Sequence, residues 1–183
     1  FLQGIRKAGI RGKDLVSQIL AFSRQSETKR RPVDIAPIVK ETIKMLTPSL
    51  PDHIELRSQI QTGQDDLISA DPTQIHQVLM NLCVNAKDAM RSAGGVLEIT
   101  LQKTTAPAGR QGPNRPTAES YLQLSVRDTG EGMDEEVIER IFEPFYTTKQ
   151  PNEGTGMGLA VVHGIISHHE GEITVRSAPG EGT

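Results

Sequence analysis

The chain is poor in the residues that build several common kinds of functional site. Its 183 residues include no Trp, two Tyr and four Phe. The core must therefore be aliphatic, and a nucleic-acid reader that stacks bases on aromatic side chains is disfavoured. A single cysteine, Cys83, excludes a disulfide framework and a Cys-rich zinc site.

Long apolar runs are also missing. No stretch approaches the roughly 18 consecutive apolar residues that span a bilayer, and the opening residues lack the pattern of a signal peptide. We therefore expect this chain to make no membrane contact.

Charge is unevenly divided along the chain. Residues 1–31 carry eight Lys and Arg against two Asp and Glu, a balance of +6. Residues 32–183 carry 12 against 21, a balance of −9. The split predicts two units, 1–31 and 32–183. Because the larger unit is acidic and would repel phosphate backbones, we expect no nucleic-acid partner.

Hydrophobic periodicity predicts mixed strands and helices from residue 32 onwards. Alternating patterns predict strands near 33–35, 54–60, 67–70, 96–101, 121–126 and 172–176. Helical spacing predicts helices over 36–46, 72–91, 135–142 and 158–168. Asp71 is a favourable N-cap for the second of these helices, and Pro72 a favourable first residue. The Pro/Gly-rich residues 104–118 are expected to form a loop.

Residues 1–24 show apolar or small residues at alternating spacings of four and three, which is typical of a packed helix seam. Three glycines weaken this helix, so it needs a partner surface to stay formed. Two interpretations remain open from the pattern alone: an amphipathic helix lying on the domain, or one half of a helical hairpin.

Three polar side chains lie on neighbouring faces of the helix that follows Asp71. Asn81 and Asn85 are four residues apart on one face, and Asp88 lies one turn further on. An Asn can offer its carbonyl oxygen to a magnesium ion whose other ligands are phosphate and water. Taken alone, such residues are more often solvated or capping groups.

Two glycine-rich segments could face a ligand. In DTGEGM, Asp128 ends a strand and could accept a hydrogen bond from an exocyclic amine, while Gly130 and Gly132 let a flat base approach the backbone. GTGMGL precedes a helix whose first N–H groups could bind phosphate. It lacks the Lys of a P-loop and the preceding strand of a Rossmann turn. Each segment alone is typical of an ordinary turn.

The segment IFEPFYTTK lies between the two glycine-rich segments. Phe142 and Phe145 would anchor it by apolar contact, and Thr147, Thr148 and Lys149 could then meet a phosphate tail. A surface hairpin with a solvated Lys is the alternative.

These signals occur together and in a fixed order between residues 81 and 158. NLCVNAKDAM, DTGEGM, FEPFYTT and GTGMGL resemble the N box, first glycine box, F box and second glycine box of bacterial sensor histidine kinases. Those kinases belong to the gyrase, Hsp90, histidine kinase and MutL superfamily. The resemblance covers about residues 32–183, and the combination of motifs is highly specific.

The resemblance implies a fold and a set of site residues. The fold is an α/β two-layer sandwich, a mixed β-sheet with helices on one face and a long ATP lid (Bergerat-type), preceded by an N-terminal helix. The implied cofactors are ATP and Mg²⁺, with Asn85 as the metal ligand and Asn81, Asn85 and Lys149 as catalytic residues. Asp128 matches the adenine-recognising carboxylate. The other residues that the resemblance places at the cofactor are Asn85, Asp88, Gly130, Gly132, Met133, Phe142, Thr148, Lys149, Gly154, Thr155, Gly156, Gly158 and Leu159.

Asn81 bears on the type of reaction. In gyrase-type and MutL-type ATPases, the residue four before the magnesium-binding Asn is a Glu that activates water. Asn81 occupies that position here and cannot act as a general base. The resemblance therefore implies transfer of the γ-phosphate to a protein histidine instead of hydrolysis. An ATPase of the gyrase or MutL type and a nucleotide-sensing interaction module remain as alternatives.

The first 24 residues can also be interpreted through the resemblance. GKDLVSQILAFSRQ resembles the second helix of the dimerisation and phosphotransfer hairpin of these kinases. The phosphoacceptor His lies on the first helix, which we expect outside this chain, so the chain is expected to be a kinase fragment. The implied partners are that His-containing dimerisation helix, a response regulator receiver domain and a second copy in a full-length homodimer. The implied location is cytoplasmic, and a membrane anchor elsewhere in the full-length protein remains open.

Overall fold

Strands and helices alternate along most of the chain. The computed structural model describes residues 30–63, 66–105, 120–149 and 154–183. The helix predicted for residues 1–24 and nearly all of the predicted loop 104–118 lie outside the described residues. The described elements are β1 (Arg31–Asp34), α1 (Ala36–Leu46), a 3-10 turn (Thr47–Ser49), β2 (Ile54–Gln61), β3 (Leu67–Ala70), α2 (Pro72–Ala89), β4 (Gly95–Thr104), β5 (Tyr121–Asp128), α3 (Glu135–Arg140) and α4 (Gly158–His168).

The strands form two sheets where the sequence indicated one. β1 pairs with β3 in an antiparallel ribbon, and the larger sheet has the order β2-β4-β5. In that larger sheet β2 and β4 are parallel, whereas β4 and β5 are antiparallel, so its predicted mixed character is confirmed. A parallel pair requires a long crossover connection. That connection contains α2, the helix that carries Asn81, Asn85 and Asp88.

Helices cover one face of the three-stranded sheet. Leu97, Ile99 and Leu101 of β4 are fully buried, while the side chains between them are at least partly exposed. They share one core cluster with Leu79 and Cys83 of α2. Burial raises the pKa of the Cys83 thiol to about 12, so this residue packs as a small apolar group and is not a nucleophile.

The N-terminus of α2 forms as predicted. Asp71 Oδ1 accepts a hydrogen bond from the Thr73 N–H at 2.9 Å, and Pro72 occupies the first helical position. The Asp71 N–H in turn donates to Nε2 of His169 at 3.1 Å. Because Nε2 accepts that bond, the ring proton lies on Nδ1, which donates to the Ile165 carbonyl at 2.8 Å. The end of α4 is thereby joined to the start of α2.

We expect Asp71→Ala to lower the free energy of unfolding by about 1 kcal/mol, because the substitution removes the N-cap acceptor of α2. Urea unfolding followed by circular dichroism measures the change. Asp52→Ala, at an exposed turn position, is the matched control and should unfold like the parent chain. Equal midpoints for both variants would contradict the capping role.

A second apolar cluster fixes α4 against α2. Val78 of α2 packs with Val161, Val162 and Ile165 of α4. Together with the His169 contact, this cluster sets where the first residue of α4 lies relative to the middle of α2.

The strand predicted at 172–176 is not formed. These residues alternate between exposed and half-buried, as their sequence pattern indicates, and Ile173 packs against the α2–α4 cluster. They form no backbone hydrogen-bond ladder with a described strand, and an alternating sequence pattern alone does not provide a pairing partner. Among the residues that the structure describes, no helix has both the length and the apolar character needed to cross a membrane.

Candidate nucleotide-binding site

The middle of α2 meets the first residue of α4. Asn81 Nδ2 donates a hydrogen bond to the Gly158 carbonyl at 3.3 Å. A Cβ placed on Gly158 would lie 3.8 Å from Asn85 Nδ2, so both asparagines border this point. All three residues are half-buried. The structure therefore brings the N box and the second glycine box together.

The start of α4 has backbone donors without a side-chain partner. No side chain caps this helix at Met157. Helix N-terminal N–H groups need acceptors and favour anions. Thr155, just before the helix, is exposed, and its Oγ1 accepts the Met157 N–H at 3.4 Å. Leu159 lies half-buried in the first turn.

An ion pair joins α2 to the segment that follows the F box. Lys149 Nζ lies 2.6 Å from Asp88 Oδ2, and Arg91 reaches the other carboxylate oxygen at 3.2 Å. Burial raises the pKa of Asp88, but hydrogen bonds and charge from Lys149 and Arg91 outweigh it and hold that pKa below its usual value. Asp88 is therefore an anion at neutral pH. The resemblance places Asp88 and Lys149 at the site separately, and nothing in the sequence indicates that they pair.

Asp128 is a buried carboxylate at the end of β5, with 6% of its surface exposed. Its Oδ1 accepts the Gly130 N–H at 2.8 Å. Burial raises the pKa of Asp128, and backbone hydrogen bonds from Gly130 and Thr183 only partly oppose that rise. A buried carboxylate of this kind needs strong hydrogen-bond donors.

Residues 128–133, which we call the carboxylate loop, are held on the C-terminal end of α2. The Glu131 N–H donates to the Ala89 carbonyl at 3.2 Å. A Cβ on Gly130 would lie 2.7 Å from that same oxygen, so no larger residue fits. Gly132 has a φ of +67°, and a Cβ there would collide with the Ala178 carbonyl. Both glycines are therefore dictated by close backbone contacts.

Residues 177–183, which we call the terminal turn, close over the other side of the carboxylate loop. Thr183 and Asp128 exchange backbone hydrogen bonds of 2.9 and 3.3 Å. Ser177 Oγ accepts the Met133 N–H at 2.9 Å, and Met133 itself is half-buried. Neither Ser177 nor Thr183 is among the site residues predicted from the sequence. The turn-forming run SAPGEGT was the available signal, but nothing in it indicates which loop it contacts.

The two phenylalanines of the F box behave differently. Phe142 is half-buried, with its ring centroid 5.1 Å from that of His163 on α4. Phe145 is 61% exposed and has a φ of +69°, so the prediction that its side chain anchors the segment by apolar contact is wrong. Its backbone makes the anchor, because the Phe145 N–H donates to the Gly156 carbonyl at 2.9 Å.

The two ends of the segment between Phe145 and Gly156 are thus in direct backbone contact. Gly156 has a φ of +65°, and a Cβ there would collide with the Phe145 backbone. A Cβ on Gly154 would lie 3.0 Å from Thr147 Oγ1 and 3.1 Å from Lys149 Cδ. Thr148 is exposed beside them. The described parts of this segment, 145–149 and 154–156, therefore form a closed stem.

The donor set fits a nucleotide-bound magnesium ion better than a metal held by protein alone. Within the described ranges, no three His, Cys, Asp or Glu side chains come together as a metal cage. Asn85 is half-buried beside Gly158 and can offer one neutral oxygen. Mg²⁺ accepts such sites when phosphates and waters complete its octahedron.

The family to which this chain belongs follows from its similarity to known proteins. A model of the family described as histidine kinase-, DNA gyrase B-, and HSP90-like ATPases matches residues 70–183. This chain belongs to that family. The matched residues contain all four boxes and the terminal turn.

Curated relatives of this family member are sensor kinases. Sensor kinase CckA of Brucella abortus (strain 2308) is 37% identical over 187 residues, covering 100% of this chain and 19% of that protein. Sensor histidine kinase ZraS of Escherichia coli (strain K12) is 32% identical over 184 residues, covering 99% of this chain and 35% of that protein. The chain therefore spans about a fifth to a third of these relatives.

Solved histidine kinase structures share the fold. Full-length ShkA in complex with AMPPNP is 26% identical, with a TM-score of 0.72, and covers 98% of this chain and 36% of that chain. The catalytic domain of ThkA is 27% identical, with a TM-score of 0.59, and covers 77% of this chain and 82% of that chain. A complex of ThkA with response regulator TrrA aligns with a TM-score of 0.65 at 24% identity, covering 91% of this chain and 43% of that chain.

The prediction of a histidine kinase ATP-binding catalytic domain is confirmed by these matches. The mixed α/β fold with helices packed on a mixed sheet is confirmed as well. The boundary at residue 31 and the roles of individual site residues stay predictions.

Proposed function

We propose that this domain binds ATP along α2 and passes the γ-phosphate to a histidine on a dimerisation helix of the full-length protein. One observation carries the proposal. α2 contacts the start of α4 through Asn81 and the carboxylate loop through Ala89. These contacts are eight residues apart, or about 12 Å along the helix axis. A base-binding end and a phosphate-binding end therefore lie along one rigid element, at a separation comparable to an extended nucleotide.

Asp128 would recognise the adenine. Its buried carboxylate can accept a hydrogen bond from the exocyclic 6-amino group, a donor that guanine and hypoxanthine lack at that position. The carboxylate loop approaches α2 closely because Gly130 has no side chain. The same absence of side chains lets a flat base lie against the backbone.

The phosphates would lie at the start of α4. The uncapped N–H groups after Met157 offer donors there, and Lys149 adds a positive charge. Lys149 is bonded to Asp88 at 2.6 Å, so it would share or exchange that partner when phosphate binds. Asn85 would provide a ligand to Mg²⁺, which neutralises the phosphate charge when bound.

Asn81 favours transfer over hydrolysis. Its amide cannot take a proton from water, and its nitrogen is used in the bond to Gly158. Phosphoryl transfer needs positioning and charge neutralisation more than a general base. Phe145 and Gly156 would form the stem of the ATP lid that the resemblance implies, and residues 150–153 of that lid lie outside the described residues.

The proposed partners follow from the relatives. The chain resembles parts of sensor kinases, and ThkA is known in complex with a response regulator. We propose a response regulator receiver domain and a second copy in the full-length homodimer as partners of this protein, with this domain on the cytoplasmic side.

A reconstituted transfer assay tests the function. The chain is mixed with ATP, Mg²⁺ and a separate hairpin fragment of the same protein that carries the acceptor His. Acid-labile phosphate on the hairpin is expected. Rapid phosphate release without transfer would instead favour an ATPase, and ATP binding with neither would favour a nucleotide-sensing module.

A further inference from the structure

The terminal turn is bonded to the carboxylate loop at several points along its length. Besides the two backbone bonds between Thr183 and Asp128, the Gly180 N–H donates to the Glu131 carbonyl at 2.7 Å. Met133 is held through its N–H by the Ser177 hydroxyl. Both ends and the middle of the carboxylate loop are therefore positioned by a segment that lies 44 to 55 residues further along the chain.

Ser177 is the residue on which these contacts converge. Its hydroxyl donates its single proton to the Gly182 carbonyl at 2.7 Å and accepts the Met133 N–H at 2.9 Å. Thr183 Oγ1 lies 3.0 Å away. Because the Ser177 proton is already used, Thr183 must be the donor in this third bond. All the hydrogen-bonding capacity of the Ser177 hydroxyl is thus engaged, and it joins the terminal turn internally and to the carboxylate loop.

We infer that Ser177 is a positioning residue for adenine recognition, acting through the carboxylate loop on Asp128. The inference rests on the proposed function, because it requires Asp128 to hold the base. Without the hydroxyl, the Met133 N–H and the Gly182 carbonyl lose their partner, and the loop that ends in Met133 is free to shift. Among the described residues, the Ser177 hydroxyl bonds to Met133, Gly182 and Thr183 and to no group at Asn85 or in α4, so we expect the phosphate end of the site not to depend on it.

Binding measurements with two ligands test this inference. Titration calorimetry compares Mg²⁺-ATP with Mg²⁺-tripolyphosphate, which has no base. Ser177→Ala is expected to weaken ATP binding about tenfold, as for the loss of one well-formed hydrogen-bond network, and to leave tripolyphosphate binding unchanged. In the transfer assay the same variant should raise KM for ATP and keep kcat, because the loss affects ground state and transition state equally.

Three further variants complete the design. Ser177→Thr retains the hydroxyl and should restore ATP affinity, while Ser58→Ala, at an exposed position on β2, should change nothing. Ser177→Cys keeps a side chain of similar shape, but its thiol forms only weak hydrogen bonds. This variant therefore tests the positioning role if Ser177→Ala fails to fold. An unchanged ATP affinity in Ser177→Cys, or equal losses for both ligands in Ser177→Ala, would overturn the positioning role. If the parent chain binds ATP no better than tripolyphosphate, the proposed adenine site itself fails.

Discussion

Asn85→Ala is expected to lower the rate of phosphate transfer to the acceptor histidine by roughly 10³-fold or more, because charge neutralisation at the phosphates supplies most of the catalysis in phosphoryl transfer. Asn85 lies at the junction of α2 and the start of α4 and offers the neutral oxygen that fits Mg²⁺. The readout is acid-labile phosphate on the hairpin fragment as a function of time.

The variant also has a signature that unfolding would not produce. In the parent chain, Mg²⁺ should strengthen ATP binding, whereas in Asn85→Ala the affinity should no longer depend on Mg²⁺. Val84→Ala, at an exposed neighbouring position on α2, is the matched control and should transfer phosphate normally. Normal transfer in Asn85→Ala would remove Asn85 from the proposed machinery.

Asp128→Asn is expected to weaken ATP binding about a hundredfold, the loss that follows when a buried charged hydrogen-bond acceptor is replaced. The substitution keeps the size of the side chain and turns one acceptor into a donor. It should therefore also reduce the preference for ATP over inosine triphosphate, whose base presents a carbonyl where adenine has its amino group. Competition binding with the two nucleotides measures both effects.

A measurement of thermal stability distinguishes a loss of ATP affinity in Asp128→Asn from misfolding of the variant. Burial raises the pKa of Asp128 in the folded state, so the charged carboxylate costs folding free energy at pH values above that pKa. In the parent chain the protonated Asp128 carboxyl favours the folded state, so its contribution to the free energy of unfolding is greatest at low pH. That contribution is lost as the pH rises through the folded-state pKa. Asp128→Asn removes the charge and should unfold at the same temperature as the parent chain or a higher one at pH 7. Asp52→Asn, at an exposed turn, is the control for the substitution itself. Parent-like ATP affinity in Asp128→Asn would contradict adenine recognition by this residue.

Local chemistry made much of the fold predictable. The ends of α1, β3 and α4 lie where the periodicity places them, and the Asp71 cap forms because Asp and Pro have strong positional preferences at a helix start. The prediction of a strand at 172–176 was wrong because strand formation depends on more than local chemistry. Alternation reports which side chains face the core, but a strand also needs a neighbour, and the sequence does not state which segments become neighbours.

The candidate site shows the same division. The spacing of Asn81 and Asn85, and the position of Asp128 at a strand end, follow from helix and strand geometry alone. The exposure of Phe145 and the collisions that exclude a side chain at Gly132 and Gly156 depend on which backbone lies opposite. No local pattern carries that information.

By itself the sequence determined the kind of protein this is: few aromatics, four ordered boxes and an Asn at position 81 are properties of the chain that need no coordinates. Tertiary structure decided which groups act on one another. It paired Asp88 with Lys149, put Gly158 beside Asn81, and laid Ser177 over the carboxylate loop. The reason is physical. Spacing along the chain governs neighbours within one helix or strand, whereas contacts between residues 40 to 80 positions apart arise only when the apolar faces of several elements pack into a common core.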